Sequence, residues 1–108
     1  MTYENRVAIY DSVVARCPEI DRKGKTMPYT STNGHMFSLV NKDGEIGFRL
    51  GPDGMANFFA EHDSGPFLSH GATMRGYVLI PDAMLSDHDR LVIYLRQAKA
   101  YVESLPPK

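Results

Sequence analysis

HMFSLVNKDGEIGFRLG, residues 35–51, decides the fold. Two runs of β-formers flank Asn41-Lys42-Asp43-Gly44, and a polar quartet ending in glycine between such runs predicts a tight β-hairpin. In the second run Ile46, Phe48 and Leu50 fall on one face, with Glu45, Gly47 and Arg49 on the other. In the first, strict alternation sets Met36, Ser38 and Val40 against Phe37 and Leu39. Upstream, Lys25–Ser31 (KTMPYTS) reads as a further short strand. Pro28 inside it has no N–H for a central ladder and predicts an edge position or a bulge. STNG joins this strand to the hairpin, Asn33-Gly34 supplying the positive φ of a turn.

Helical patterns flank this three-stranded meander. Tyr3, Val7, Tyr10, Val14 and Cys17 recur at steps of four and three, predicting a helix over 3–16 with Thr2 as its cap and Pro18 beyond its end. Met55, Phe58, Phe59 and His62 predict a second helix over 52–62, opened by Pro52 or Asp53 and broken by Asp63-Ser64-Gly65-Pro66. Phe67–His70 suits a brief extended piece that the residues neither place in the sheet nor exclude from it. Arg75–Ile80 predicts a strand with Tyr77 and Leu79 opposite Val78 and Ile80, apolar on both faces and therefore central. A last helix is expected from about Asp82 or Ser86 to Ser104, with Leu91, Tyr94, Leu95, Ala98, Tyr101, Val102 and Leu105 as its stripe. The Pro-Pro-Lys tail is expected to be disordered.

Grouped strands predict an α+β fold on an antiparallel sheet, in the order α-β-β-β-α-β(-β)-α. Three helices on one face would leave the other partly open, and the nearest candidate to cover it is a second copy of the chain.

At 108 residues the sequence suits one domain, spanning 1–108. No apolar run approaches the ~18 residues of a membrane span, and MTYENRVAIYD lacks the layout of a signal peptide. With a single cysteine, these features point to a reducing cytoplasm and no membrane partner. Net charge is −1, and the one basic cluster, Arg22-Lys23-Gly24-Lys25, sits beside Glu19 and Asp21. Nucleic-acid binding is not expected, since it would need Arg22, Lys23, Lys25, Arg96 and Lys99 gathered on one face.

Reactive residues are scattered. Cys17 lies on an apolar stripe at a helix C-terminus, where the dipole disfavours a thiolate. His62 and His70 are eight apart, His35 and His88 stand alone, and no i,i+4 pair forms. Asp63, Asp87 and Asp89 suit turns and helix starts, so no metal site is expected. Neither Ser64-Gly65 nor Ser69-His70-Gly71 lies in a nucleophile elbow. GPDG (51–54) and GATMRG (71–76) lack the lysine of a phosphate loop. No catalytic residue and no cofactor is expected. SHGATMRGYVLIP (69–81) reads first as a turn feeding a strand, with Gly76 at a bulge. Its alternative is a recognition surface of Tyr29, His70 and Arg75, the arginine gripping an anion and the histidine titrating near neutrality.

The run MPYTSTNGHMFSLVNKDGEIGFRL, followed by HGATMRGYVLIPDAML and a tyrosine-bearing last helix, resembles a known family. It is that of the small stand-alone bacterial proteins related to the N-terminal domain of TfoX, the natural-competence regulator. The matching pieces are Met27-Pro28-Tyr29, Asn33-Gly34, Met36-Phe37, Arg49-Leu50, His70-Gly71 with Met74, Tyr77-Val78 and Pro81, within residues 25–105. His35 departs from the plain polar residue more usual there. The resemblance implies a two-layer α/β sandwich like that of the secretion chaperones, with about five antiparallel strands. It also implies a homodimer and no established enzymatic activity; the absence of a catalytic set and the half-covered sheet lead us to expect action through protein contacts, with itself and with another protein. The competence regulator carries a C-terminal domain that this sequence, ending at Lys108, does not show, so no competence role is carried over.

Overall fold

A computed structural model describes residues 1–108. The elements are α1 (Tyr3–Ala15), β1 (Tyr29–Thr32), β2 (His35–Val40), β3 (Ile46–Arg49), α2 (Gly51–Glu61), β4 (Pro66–Ser69), β5 (Ala72–Leu79), a 3₁₀ turn (Asp82–Met84) and α3 (His88–Glu103). The five strands form one antiparallel sheet in the order β1-β2-β3-β5-β4. This is the α+β order expected, with Phe67 and its neighbours joining the sheet as β4. No helix is long and apolar enough to cross a membrane.

Local chemistry accounts for most boundaries. Thr2 and Asn5 cap α1 reciprocally, each side chain taking the other's backbone N–H. Asp87 caps α3 by accepting from the Arg90 N–H, so the last helix begins at His88 and Asp82 belongs to the separate 3₁₀ turn. Two hairpins close on two-residue turns with positive φ at both positions, Asn33-Gly34 (57° and 79°) and His70-Gly71 (53° and 76°). That geometry matches the natural strand twist. The second turn draws β5 back to Ala72, ahead of the expected Arg75. β1 starts at Tyr29 rather than Lys25, because Pro28 precedes it and only Lys23 bridges to it across the chain. β1 is an edge strand, as Pro28 predicts.

The helix layer and one sheet face enclose the main core. Tyr10 and Val14 from α1, Cys17 just beyond its end, Phe58 from α2 and Leu91, Leu95, Ala98 and Val102 from α3 meet Ile46, Phe48, Val78 and Ile80. The expected alternation in β2 fails, however. Thr30 pairs with Ser38 but Ser31 with Met36, which leaves Phe37 as an extra residue in a bulge. Phe37, Ser38 and Val40 therefore all belong to the helix side, and Met36 and Leu39 to the other.

The face away from the helices is not left open as a flat surface. A flat five-stranded sheet would hold its edges about 19 Å apart, at ~4.8 Å per strand. Yet the Ser69 hydroxyl, on edge strand β4, donates to Met27 Sδ, just ahead of edge strand β1, at 3.9 Å. Asn41, at the end of β2, donates Nδ2 to the Leu68 carbonyl at 2.8 Å. The sheet curls until the β4–β5 hairpin lies over β1–β3, burying Leu39, Phe67 and Tyr77 in a second, smaller core. Gly76, at φ 84°, sits where the β4–β5 register slips between Pro66 and Leu68, and supplies the bulge at which β5 bends.

The C-terminal tail is held rather than loose. Asn33 Nδ2 donates to the Val102 and Leu105 carbonyls at 3.2 and 2.8 Å, His35 Nε2 lies 2.9 Å from the Pro106 carbonyl, and Lys108 N–H bonds the Asn33 carbonyl. One side chain thus serves as turn residue and as cap for the end of α3. Asn33→Ala should cost about 1–3 kcal/mol by stranding those carbonyls and straining a positive-φ position. Urea unfolding and amide exchange in the last turn of α3 check this. Unchanged stability with unchanged exchange would contradict the pinning.

Candidate functional site

Curling leaves one cleft in the second face, of about 370 Å³. Met27, Tyr29 and Met36 form its β1–β2 side, Ser69, His70 and Met74 its hairpin side, and buried Leu39 lies between. Tyr29 reaches it because it pairs with Leu39 and so shares that strand's outer face. His70 reaches it from the tip of the hairpin, where its backbone is held in the left-handed region. No lysine, arginine, aspartate or glutamate lines the cleft.

Of the three residues the sequence suggests as a recognition surface, the fold brings Tyr29 and His70 together. Arg75 lines a different hollow of about 220 Å³, with Met55, Phe59, Pro66 and Tyr77. An anion gripped by that trio therefore has no single cavity to occupy. What sequence reasoning missed are the methionines: three of the six, Met27, Met36 and Met74, converge on the cleft. A search for apolar residues opposite the core pattern could have found them, but the bulges at Phe37 and Gly76 break the parity such a search relies on.

The remaining polar residues are occupied in holding the fold. His62 Nε2 lies 2.9 Å from the Tyr94 hydroxyl, and the imidazole packs on Phe58. Its polar hollow of about 270 Å³ also draws in Asp63, Asp87 and Arg90. No group of three histidine, cysteine, aspartate or glutamate side chains converges on one point. Burial pushes the Cys17 thiol up, and its Sγ lies 3.8 Å from the Val13 carbonyl. Ser69 directs its hydroxyl to Met27, not to the neighbouring His70. No buried side-chain polar atom lacks a partner. The scattered cations are likewise engaged: Arg22 with Asp11, Arg96 with Glu19, Lys99 with Glu103. The Arg96 guanidinium holds the Glu19 carboxyl below its ordinary range.

The site's chemistry is thus a thioether-walled cleft lined also by the Tyr29 and Ser69 hydroxyls and the His70 imidazole, with no paired nucleophile and base. Comparison with protein-family models, with curated proteins and with solved structures returns no match for the chain.

Proposed function

We propose that this chain is a non-enzymatic interaction module, a cytoplasmic homodimer of the kind that the N-terminal domain of TfoX represents, acting through protein contacts in a regulatory role. The observation that carries this is the segregation of charge on its surface. Ion pairs knit the helix side: Arg6–Asp82, Arg16–Asp89, Arg22–Asp11 and Arg96–Glu19 tie α1 and its following loop to one another, to the 3₁₀ turn and to α3. Residues 54–60 of α2 and 64–74 of the β4–β5 hairpin contain no aspartate, glutamate, lysine or arginine at all. On that side Phe59 and Leu68 are 38 % and 43 % exposed. Phe59 shares a hollow with Pro66 in which Arg75 is the one charged lining residue, and Pro66 and Leu68 fall on the same side of β4.

Interface centres are depleted of charge and enriched in aromatic residues, which is the composition found here. Backbone pairing between edges is a weaker route to the dimer, because Lys23 covers β1 at Tyr29 and Asn41 occupies the Leu68 carbonyl of β4. Side-chain packing across α2 and the hairpin is the better supported contact.

Sedimentation velocity across the micromolar range tests this reading. A dimer is expected, and Phe59→Glu or Leu68→Lys should each raise its dissociation constant about ten-fold or more while leaving the circular dichroism unchanged. A monomer at every concentration would overturn the proposal.

A further inference from the structure

We infer that the cleft between β1 and the tip of the β4–β5 hairpin is a binding site for a small, uncharged aromatic molecule carrying one hydrogen-bonding group. This goes beyond the dimer reading, which shares the β4–β5 hairpin but rests on Phe59 and Leu68, neither of which lines the cleft.

Size and enclosure come first. A cleft of about 370 Å³ falls within the ~300–1,000 Å³ of small-molecule sites. Its roof is the chain's own hairpin, clamped by the Asn41–Leu68 hydrogen bond and the two-residue turn at its tip. A preformed cleft spares a ligand the cost of ordering the walls.

Wall chemistry selects the class. The helix-side core is filled by leucine, valine, isoleucine and phenylalanine, with Met84 its only fully buried methionine. The cleft concentrates Met27, Met36 and Met74 beside the Tyr29 ring. Thioethers adapt their shape and attract aromatic rings, so this wall suits a flat, polarisable guest. Charge decides the rest. With no lysine, arginine, aspartate or glutamate in the lining, an anion or cation would lose its water without gaining a permanently charged partner. Tyr29, Ser69 and His70 are the only lining residues with polar side-chain groups, enough to orient a single hydroxyl or N–H.

Naphthol and naphthoate, which share the naphthalene ring but differ in charge near neutral pH, are suitable probes. The chain has no tryptophan, so naphthol fluorescence is read against a low background. Naphthol is expected to saturate with a dissociation constant on the order of 100 μM, and naphthoate to bind about ten-fold more weakly or worse. In methyl NMR spectra naphthol should shift Met27, Met36 and Met74 and spare Met1, Met55 and Met84. Met74→Lys should weaken naphthol about ten-fold, whereas Met74→Leu should stay within about three-fold. Binding should persist in Phe59→Glu, so a failed dimer and a failed cleft give different results. No saturation at millimolar naphthol, equal binding of naphthoate, or shifts spread over all six methionines would each overturn the assignment.

Discussion

Phe67→Ala is expected to destabilise the protein by about 3–5 kcal/mol, the loss typical of a buried aromatic ring removed from a packed core. Phe67 is fully buried, and its ring stacks on Tyr77 with centroids 5.9 Å apart. It also lies directly on Gly47, where a Cβ would stand only 2.5 Å from the ring. Gly47 has no side chain with which to fill the space left behind, so the cavity would persist. Against a total stability of about 5–15 kcal/mol, this brings the fold close to its limit. The melting temperature should fall by about 10 °C or more.

The converse change, Gly47→Ala, forces the ring off β3 and should cost about 1–3 kcal/mol. Because the two positions touch, the double variant should be more stable than the sum of the single losses predicts, by about 0.5–3 kcal/mol. Guanidinium unfolding of the four proteins makes the comparison. Strict additivity, or a Phe67→Ala loss under about 1 kcal/mol, would mean that the hairpin does not fold over β3.

Alkali should unfold the protein through its buried tyrosines. The Tyr10 hydroxyl sits inside the helix-side core, 2.6 Å from Ser38 Oγ, which in turn bonds Thr30 Oγ1. Burial pushes Tyr10 up to about 12, even though its hydrogen bonds to Ser38 and Thr30 act the other way. Burial also raises Tyr77, whose hydroxyl donates to the Met36 carbonyl, and Tyr94. In the unfolded chain tyrosine ionises near pH 10. Between there and the folded value the unfolded state holds fewer protons, so stability falls as pH rises. Their contribution is complete below about pH 10 and is lost on the way to the folded value. Tyr10 alone accounts for about 3 kcal/mol of that loss.

Guanidinium midpoints at about pH 9, 10 and 11 should decline progressively, and phenolate absorbance should rise together with unfolding. Tyr10→Phe should flatten the decline, though it gives up a buried hydrogen bond in exchange. Tyrosines that all ionise near pH 10 with no loss of stability would contradict the burial of the Tyr10–Ser38–Thr30 chain.

Much of the fold is legible in short stretches of sequence. The stripe of α1, its cap at Thr2, the Asn33-Gly34 turn and the Asn41–Gly44 hairpin all rest on contacts within a few residues. Their spacing is set by backbone geometry that acts before any distant contact forms. The alternation of Ile46 and Phe48 with Gly47, and of Tyr77 and Leu79 with Val78, is legible for the same reason. The bulge at Gly76 is legible, because glycine readily takes the positive φ that a bend in a strand requires, but reading fails at Phe37. A bulge adds one residue to a strand and reverses every side-chain assignment on its far side, and a phenylalanine does not announce it.

The candidate site inherits that failure. Tyr29 and His70 are legible as polar residues near turns, but Arg75 stands with them only by proximity in sequence, and Met27, Met36 and Met74 read as ordinary apolar positions. Helix periodicity, the succession of elements along the chain and the turns are what the sequence by itself determined about this protein, while the strand order β1-β2-β3-β5-β4 came from the tertiary structure. Tertiary structure alone decided that the sheet curls, that Met27 meets Ser69 from opposite edges, and that a thioether-walled cleft lies between them. The physical reason is range: local spacing records only which face a residue prefers, whereas curvature sums small bends over five strands and is fixed by contacts some forty residues apart.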